Sequence, residues 1–353
     1  MTSGASRSRV PTMWTIHRGV LLFALALIAC QKNDQNSVQP EKLAEGSASA
    51  SSSAAQGGGP GPLVPYASAQ TKDTPAKTAE EAAAGEVKLL DPGKEPRKEL
   101  RLKSKVGQTD KMKMTMAMDM NIKVGAQNPP TQKLPPMIMN MGMKVTEVKP
   151  NGDIRYEFTL TSTDVTSSPG MDPKVVAAIK EALGKLNGLN GYAVVSNRGF
   201  NREAKINLPP GADANTKQVM QGMEQAMQQI GAPLPEEPVG VGAKWQYVTK
   251  LTQNGISLKQ TAVYDLTKMD GERITCNVKV NQAAPKQKVA APQGITVDLL
   301  SMKSDGGGQS ELELTKLTPV KSKMNLASTV DMAMPQNQVM NMKTNMVIDI
   351  TSP

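Results

Sequence analysis

The sequence predicts a mainly β fold: a curved antiparallel sheet of about a dozen strands, an open barrel or clam, carrying two helices. Three observations predict it. Apolar and polar residues alternate over stretches too long to be accidental, the period of a strand with one buried face. Asx-Gly pairs at Asn151-Gly152, Asn254-Gly255 and Asp270-Gly271 separate such stretches, as hairpin turns do. Only two segments change to a helical period.

In chain order, Leu100, Leu102 and Val106 open the pattern. Met112, Met114, Met116, Met118, Met120, Ile122 and Val124 follow on even positions, and Met137, Met139, Met141, Met143 and Val145 on odd ones. A turn at 149–153 leads to Ile154, Tyr156, Phe158 and Leu160. Asp172-Pro173 then supplies a helix cap and a first-turn proline, with Val176, Ile179, Leu183 and Leu186 as the apolar stripe. A second helix is expected over 214–230, with Val219, Met223, Met227 and Ile230 on one face. Between the helices, 192–196 and 200–208 read as a hairpin around Asn197-Arg198-Gly199. After the proline-rich 233–238, strands are expected at 245–251, 256–266 and 274–280. Two more, 295–302 and 311–317, are expected around Gly306-Gly307-Gly308, then 324–334 and 339–350, which bring Met332, Met334, Met340 and Met342. The stretch 145–160 echoes 264–280 as strand, Asx-Gly turn, strand. Two related halves (about 98–210 and 235–353) and plain β-meanders account for the echo equally well.

The N-terminus reads as an address. Residues 19–29 are uncharged and apolar, too short for a comfortable span, and Arg7, Arg9 and Arg18 precede them with no acid before Asp34. Leu27-Ile28-Ala29-Cys30 resembles the lipobox of bacterial lipoproteins. That resemblance implies cleavage before Cys30, acylation of its thiol with palmitate-like chains, and a stable membrane anchor. Gln31 after the cysteine, where retention in the inner membrane often uses Asp, points to the outer membrane, facing the periplasm. Both Met1 and Met13 fit as starts of the leader. The expected organisation is a signal peptide at 1–29, a lipidated Cys30 with a Ser/Ala/Gly/Pro-rich tether at 30–97, and a β-rich head at 98–353. A tether of roughly 65 residues has an r.m.s. reach of about 45 Å.

Composition excludes several chemistries. His17 is the only histidine and lies in the leader, so a mature chain has no imidazole base, no Ser–His or Cys–His pair and no His-bound zinc. Cys276 shares the alternation of Ile274 and Val278 and reads as a buried strand thiol. Lysines are scattered between apolar positions and aromatics make up only 3% of the chain, which argues against nucleic-acid binding despite a net charge of +9. The glycines of 239–244 are followed by a strand rather than a helix with a GK[ST] signature, so they read as a tight turn before Trp245, and Glu236-Glu237 as a solvated loop pair. No cofactor, metal or catalytic residue is implied, and no enzyme activity is expected.

The methionines are the unusual feature. Of 23, nine fall within 112–143 and six within 324–346. They can fill a core in place of Leu and Phe, line an adaptable apolar cavity, or bind a soft cation such as Cu(I). The candidate lining residues are Met112, Met114, Met116, Met118, Met120, Met137, Met139, Met141, Met143, Met332, Met334, Met340 and Met342. The block 191–211, the run 234–245 and the Met-alternating ends together resemble an uncharacterised bacterial lipoprotein family, a domain of unknown function. That resemblance brings no activity and no site residues with it. The expected function is therefore a membrane-tethered envelope lipoprotein whose Met-lined cavity binds an apolar or lipid-like ligand. The alternative is a structural or interaction lipoprotein with a filled core, whose partner is another envelope component.

Overall fold

The computed structural model describes residues 85–167, 171–208, 220, 224, 227, 232–253, 255–290, 296–334 and 338–352. They form one large antiparallel sheet of 13 strands that does not close on itself. The elements are β1 (Glu86–Asp91), β2 (Thr109–Val124), β3 (Gln132–Val148), β4 (Ile154–Val165), helix α1 (Pro173–Gly184), β5 (Asn190–Val195) and β6 (Asn201–Ile206). They continue with β7 (Lys244–Gln253), β8 (Ile256–Asp270), β9 (Arg273–Ala284), β10 (Gln287–Ala290), β11 (Thr296–Glu313), β12 (Lys321–Met334) and β13 (Gln338–Thr351).

Two meanders make up the sheet. β2 to β6 pair in sequence, β7, β8, β9, β11, β12 and β13 pair in sequence, and the ladder between β13 and β2 joins them. β1 lies outside β7, and β10 pairs with β11 off the main path. The hairpins follow the turn signals: Gly152, Gly255 and Gly271 all have positive φ, which glycine adopts without steric penalty. α1 starts as its sequence requires, with the Lys174 amide donating to the Asp172 carboxylate at 2.8 Å and Pro173 in the first turn.

Three expectations are corrected. First, Gly306-Gly307-Gly308 does not separate two strands; β11 runs through it without interruption, paired to β9 and β12 on either side. A Cβ at Gly308 would lie 1.9 Å from the Lys323 carbonyl oxygen, and one at Gly306 2.3 Å from that of Asn325. Glycine here marks close backbone approach inside a sheet rather than a turn. Second, the sheet begins at β1, inside the stretch assigned to the tether, because Val87 and Leu89 alternate with exposed neighbours and pack on the core. Third, Leu100, Leu102 and Val106 do not form a strand. Leu100 is fully buried but Val106 is exposed, and the segment makes irregular backbone bonds. The Leu102 amide donates to the Asn197 carbonyl at 2.6 Å and the Lys103 amide to the Leu314 carbonyl at 2.7 Å. The segment thus stitches the β5–β6 turn to the end of β11.

The expected second helix lies largely outside the described residues; Met220, Glu224 and Met227 within it are helical. The largest core cluster gathers Leu100, Phe200, Trp245, Tyr247, Tyr264, Leu266, Ile274 and Cys276. Trp245 stacks on Tyr264 with ring centroids 5.3 Å apart, and its indole N–H donates to the Pro233 carbonyl at 3.0 Å. Stacking and a satisfied donor are what a buried tryptophan requires. Glu236 is not simply solvated: it accepts from the Arg198 guanidinium at 3.3 Å, and its own carbonyl accepts from Arg101 at 2.7 Å.

Candidate functional site

Side chains alternate along a strand, so ladder register assigns each one to a face. One face carries nearly all the candidate methionines. A rung of registered neighbours crosses seven strands from β9 to β4: Val278, Gly308, Met324, Ile348, Met116, Met137 and Val165. The rung on one side holds Val280, Gly306, Leu326, Met346 and Met118. The rung on the other holds Cys276, Ser310, Ser322, Ile350, Met114 and Met139. None of these positions is charged, and Met112 pairs with Met141 one step further on.

The opposite face is polar and cross-linked. The Ser301 hydroxyl and the Asn341 amide both donate to Asp331, at 2.8 and 2.6 Å, and the Gln309 amide donates to Asn277 at 3.2 Å. Hollows of about 670 Å³ and about 550 Å³ open mainly on this polar side. The first is bordered by Lys111, Lys113, Asn140, Gly142 and Thr161 together with Met112 and Met141 of the floor, the second by Asn277, Lys279, Asn281, Asp305 and Gly306–Gly308 together with Val278.

The structure divides the candidate lining residues. Met112, Met114, Met116, Met118, Met137, Met139, Met141 and Met143 share one floor. α1 covers part of it, Ile179 and Leu183 packing on Met137, Val165 and Met116. Met220 packs with Met143, Phe158 and Ile206. Met332, Met334, Met340 and Met342 belong to a second apolar cluster with Ile256, Leu258, Val289, Leu299 and Val330. Between the two zones lies a row that sequence reasoning missed: Thr249, Gln260, Gln282, Ser304, Ser328 and Thr344, neighbours in register on six consecutive strands. It continues into Met120 on β2. Each of these residues is visible as a polar interruption of an alternating strand, but only the pairing shows that they align.

Burial is uneven. Met120, Met137, Met143, Met332 and Met340 are buried, while Met112, Met114, Met116, Met118, Met139, Met141, Met334 and Met342 are half-buried. Met324, Leu326, Met346, Ile348 and Ile350, in the middle of the floor, are half-buried too. Cys30 lies outside the described residues. Thioether pairs face each other as Met112–Met141, Met114–Met139 and Met116–Met137. Among the described residues, no group of three or more His, Cys, Asp or Glu side chains could hold a metal ion.

Cys276 is a free thiol, 1% exposed, and burial pushes its pKa up to about 12. The thiolate is the reactive form, so this thiol should be inert in the folded protein. Iodoacetamide at neutral pH is expected to leave Cys276 unmodified, read by peptide mass spectrometry, and to alkylate it fully in denaturant. Rapid native labelling would contradict the buried placement.

No family model matches the chain, and no curated protein matches it. Among solved structures it is similar to the beta domain of the Bordetella autotransporter Brka, at 10% identity and a TM-score of 0.17. That alignment covers 69% of this chain and 98% of the other.

Proposed function

We propose that this protein is a lipid-anchored envelope lipoprotein, held at the outer membrane through Cys30 and facing the periplasm, whose Met-bearing floor binds an apolar, acyl-chain-like ligand. The observation that carries the reading is the half-buried, uncharged floor of Met114, Met116, Met118, Met324, Leu326, Met346 and Ile348. A floor that only filled a core would be sealed, whereas flexible thioethers left partly open can repack around a guest. In this reading the sheet is a curved clam, the helical residues Met220, Glu224 and Met227 belong to a second helix, and both helices cover one side of the floor. The chain would belong to the uncharacterised lipoprotein family that its motifs resemble.

The second reading, a structural lipoprotein with no small ligand, is favoured by the two hollows being bordered mainly by residues of the polar face, with Met112, Met141 and Val278 the only apolar side chains from the floor. One preparation separates the two. The full chain with Cys30→Ser should lose its membrane association and appear in the soluble envelope fraction. Native mass spectrometry of that material should then show a reproducible apolar adduct. A variant that still sediments with membranes overturns the anchor. A soluble, folded and adduct-free protein favours the structural reading.

A further inference from the structure

The polar row across the Met-bearing face calls for a reason. Thr249, Gln260, Gln282, Ser304, Ser328 and Thr344 occupy one register level on β7, β8, β9, β11, β12 and β13. They separate the aromatic and Met-lined zone from the cluster around Leu299 and Met332. Polar groups placed in an apolar layer cost free energy unless they are hydrogen-bonded. Two pairs satisfy each other in part: the Gln282 amide donates to Gln260 at 2.8 Å, and the Ser328 hydroxyl donates to Ser304 at 2.8 Å. Each pair keeps capacity in hand. The Gln260 amide nitrogen, the Gln282 carbonyl oxygen and the Ser304 hydroxyl proton are not consumed by these two bonds.

Three properties define what would complete the row. It contains no carboxylate, ammonium or guanidinium, so it offers hydroxyl and amide groups but no counter-charge, and a charged head group brought there would lose its hydration without a partner. It is continuous with the floor through Met120 and Met118. Finally, the floor between the row and Met112 is four strand steps of about 7 Å, close to 28 Å, enough to lay out one acyl chain, which fills about 15 Å as half of a bilayer's hydrocarbon core.

We infer that this row is the head-group rung of the floor, and that the ligand is a single-chain amphiphile with an uncharged, hydroxyl- or ester-bearing head. The inference rests on the reading of the floor as a binding surface. The apolar chain lies over Met118, Met116 and Met114, while the head exchanges hydrogen bonds with Ser328 and Thr344, the half-buried members of the row nearest the floor, and Ser304, which is fully buried, holds Ser328 in place. The row selects by rejection as well as attraction: an anionic head of the same chain length finds no cation.

The test uses the full chain carrying Cys30→Ser and three probes of one chain length: decane, decanoate at a pH where it is ionised, and monodecanoylglycerol. Binding is measured by equilibrium dialysis. Monodecanoylglycerol should bind about tenfold tighter than either of the others, the margin expected of one or two hydrogen bonds. Thr344→Val, a near-isosteric change at a half-buried position, and Ser328→Ala should each weaken monodecanoylglycerol about fivefold and leave decane unchanged. Thr329→Val, on the opposite face, should alter neither. If decane binds but monodecanoylglycerol binds no tighter, or if Thr344→Val weakens both equally, the head-group assignment is overturned while the binding floor stands. If no probe binds, both fall. Thermal melting of each variant shows whether the fold is retained, and Thr344→Val keeps the test decisive should Ser328→Ala unfold.

Discussion

Trp245→Ala is expected to remove about 4 kcal/mol of folding stability, toward the upper end for truncation of a buried aromatic. The side chain is 1% exposed and sits where several parts of the chain meet. It lies on β7, stacks on Tyr264 of β8, donates its indole proton to Pro233, and shares a cluster with Leu100 and Leu314. Alanine would leave a cavity lined by strand residues fixed by their ladders, which collapse poorly. The Pro233 carbonyl would also lose its partner. The measurement is the denaturant midpoint, expected to fall at unchanged slope. Trp245→Phe separates the contributions: it keeps most of the ring packing and loses the hydrogen bond, and should cost about 1–2 kcal/mol. Equal costs for the two variants would mean that the cavity contributes little.

Gly308→Ala should be at least as damaging, although it adds a single methyl group. That methyl would fall 1.9 Å from the Lys323 carbonyl oxygen and 2.8 Å from its carbon. Both are backbone atoms of a ladder partner, so relief requires β11 and β12 to separate. A loss of about 4 kcal/mol or outright insolubility is expected. Gly242→Ala provides the contrast. Gly242 has φ of +89° with no atom within 4 Å of a Cβ, so only the left-handed backbone opposes the change, at about 1–2 kcal/mol. If Gly308→Ala melts no lower than Gly242→Ala, the close approach of β11 to β12 is not what the triple glycine serves.

Much of this architecture is legible in the alternation of residues. The even-numbered methionines of β2 and the odd-numbered ones of β3 report a shared face before any pairing is known, and the Asx-Gly turns locate three hairpins. What the sequence hides is of two kinds. Local signals mislead where tertiary context outweighs them. Three consecutive glycines look like a turn, yet β11 stays extended because both neighbours pair with it throughout. Leu100 and Leu102 look like a strand, yet their segment bonds to two distant loops. Cross-strand alignment is hidden altogether: Gln260 and Thr344 are more than eighty residues apart, and nothing local indicates that they occupy one level. The floor's composition was readable; its division by a polar row was not.

An open sheet has two edges, and what stands there decides whether molecules join edge to edge. The terminal strands are the short ones: β1 and β6 have six residues each, against fourteen to eighteen for β11, β12 and β13. Both carry charge, Glu86, Lys88 and Asp91 on β1 and Arg202, Glu203 and Lys205 on β6. Brief, charged margins are a poor template for an incoming strand. The long apolar ladders that would propagate a fibre are kept to the interior, so a sheet of this width can stay open in a crowded compartment without recruiting copies of itself.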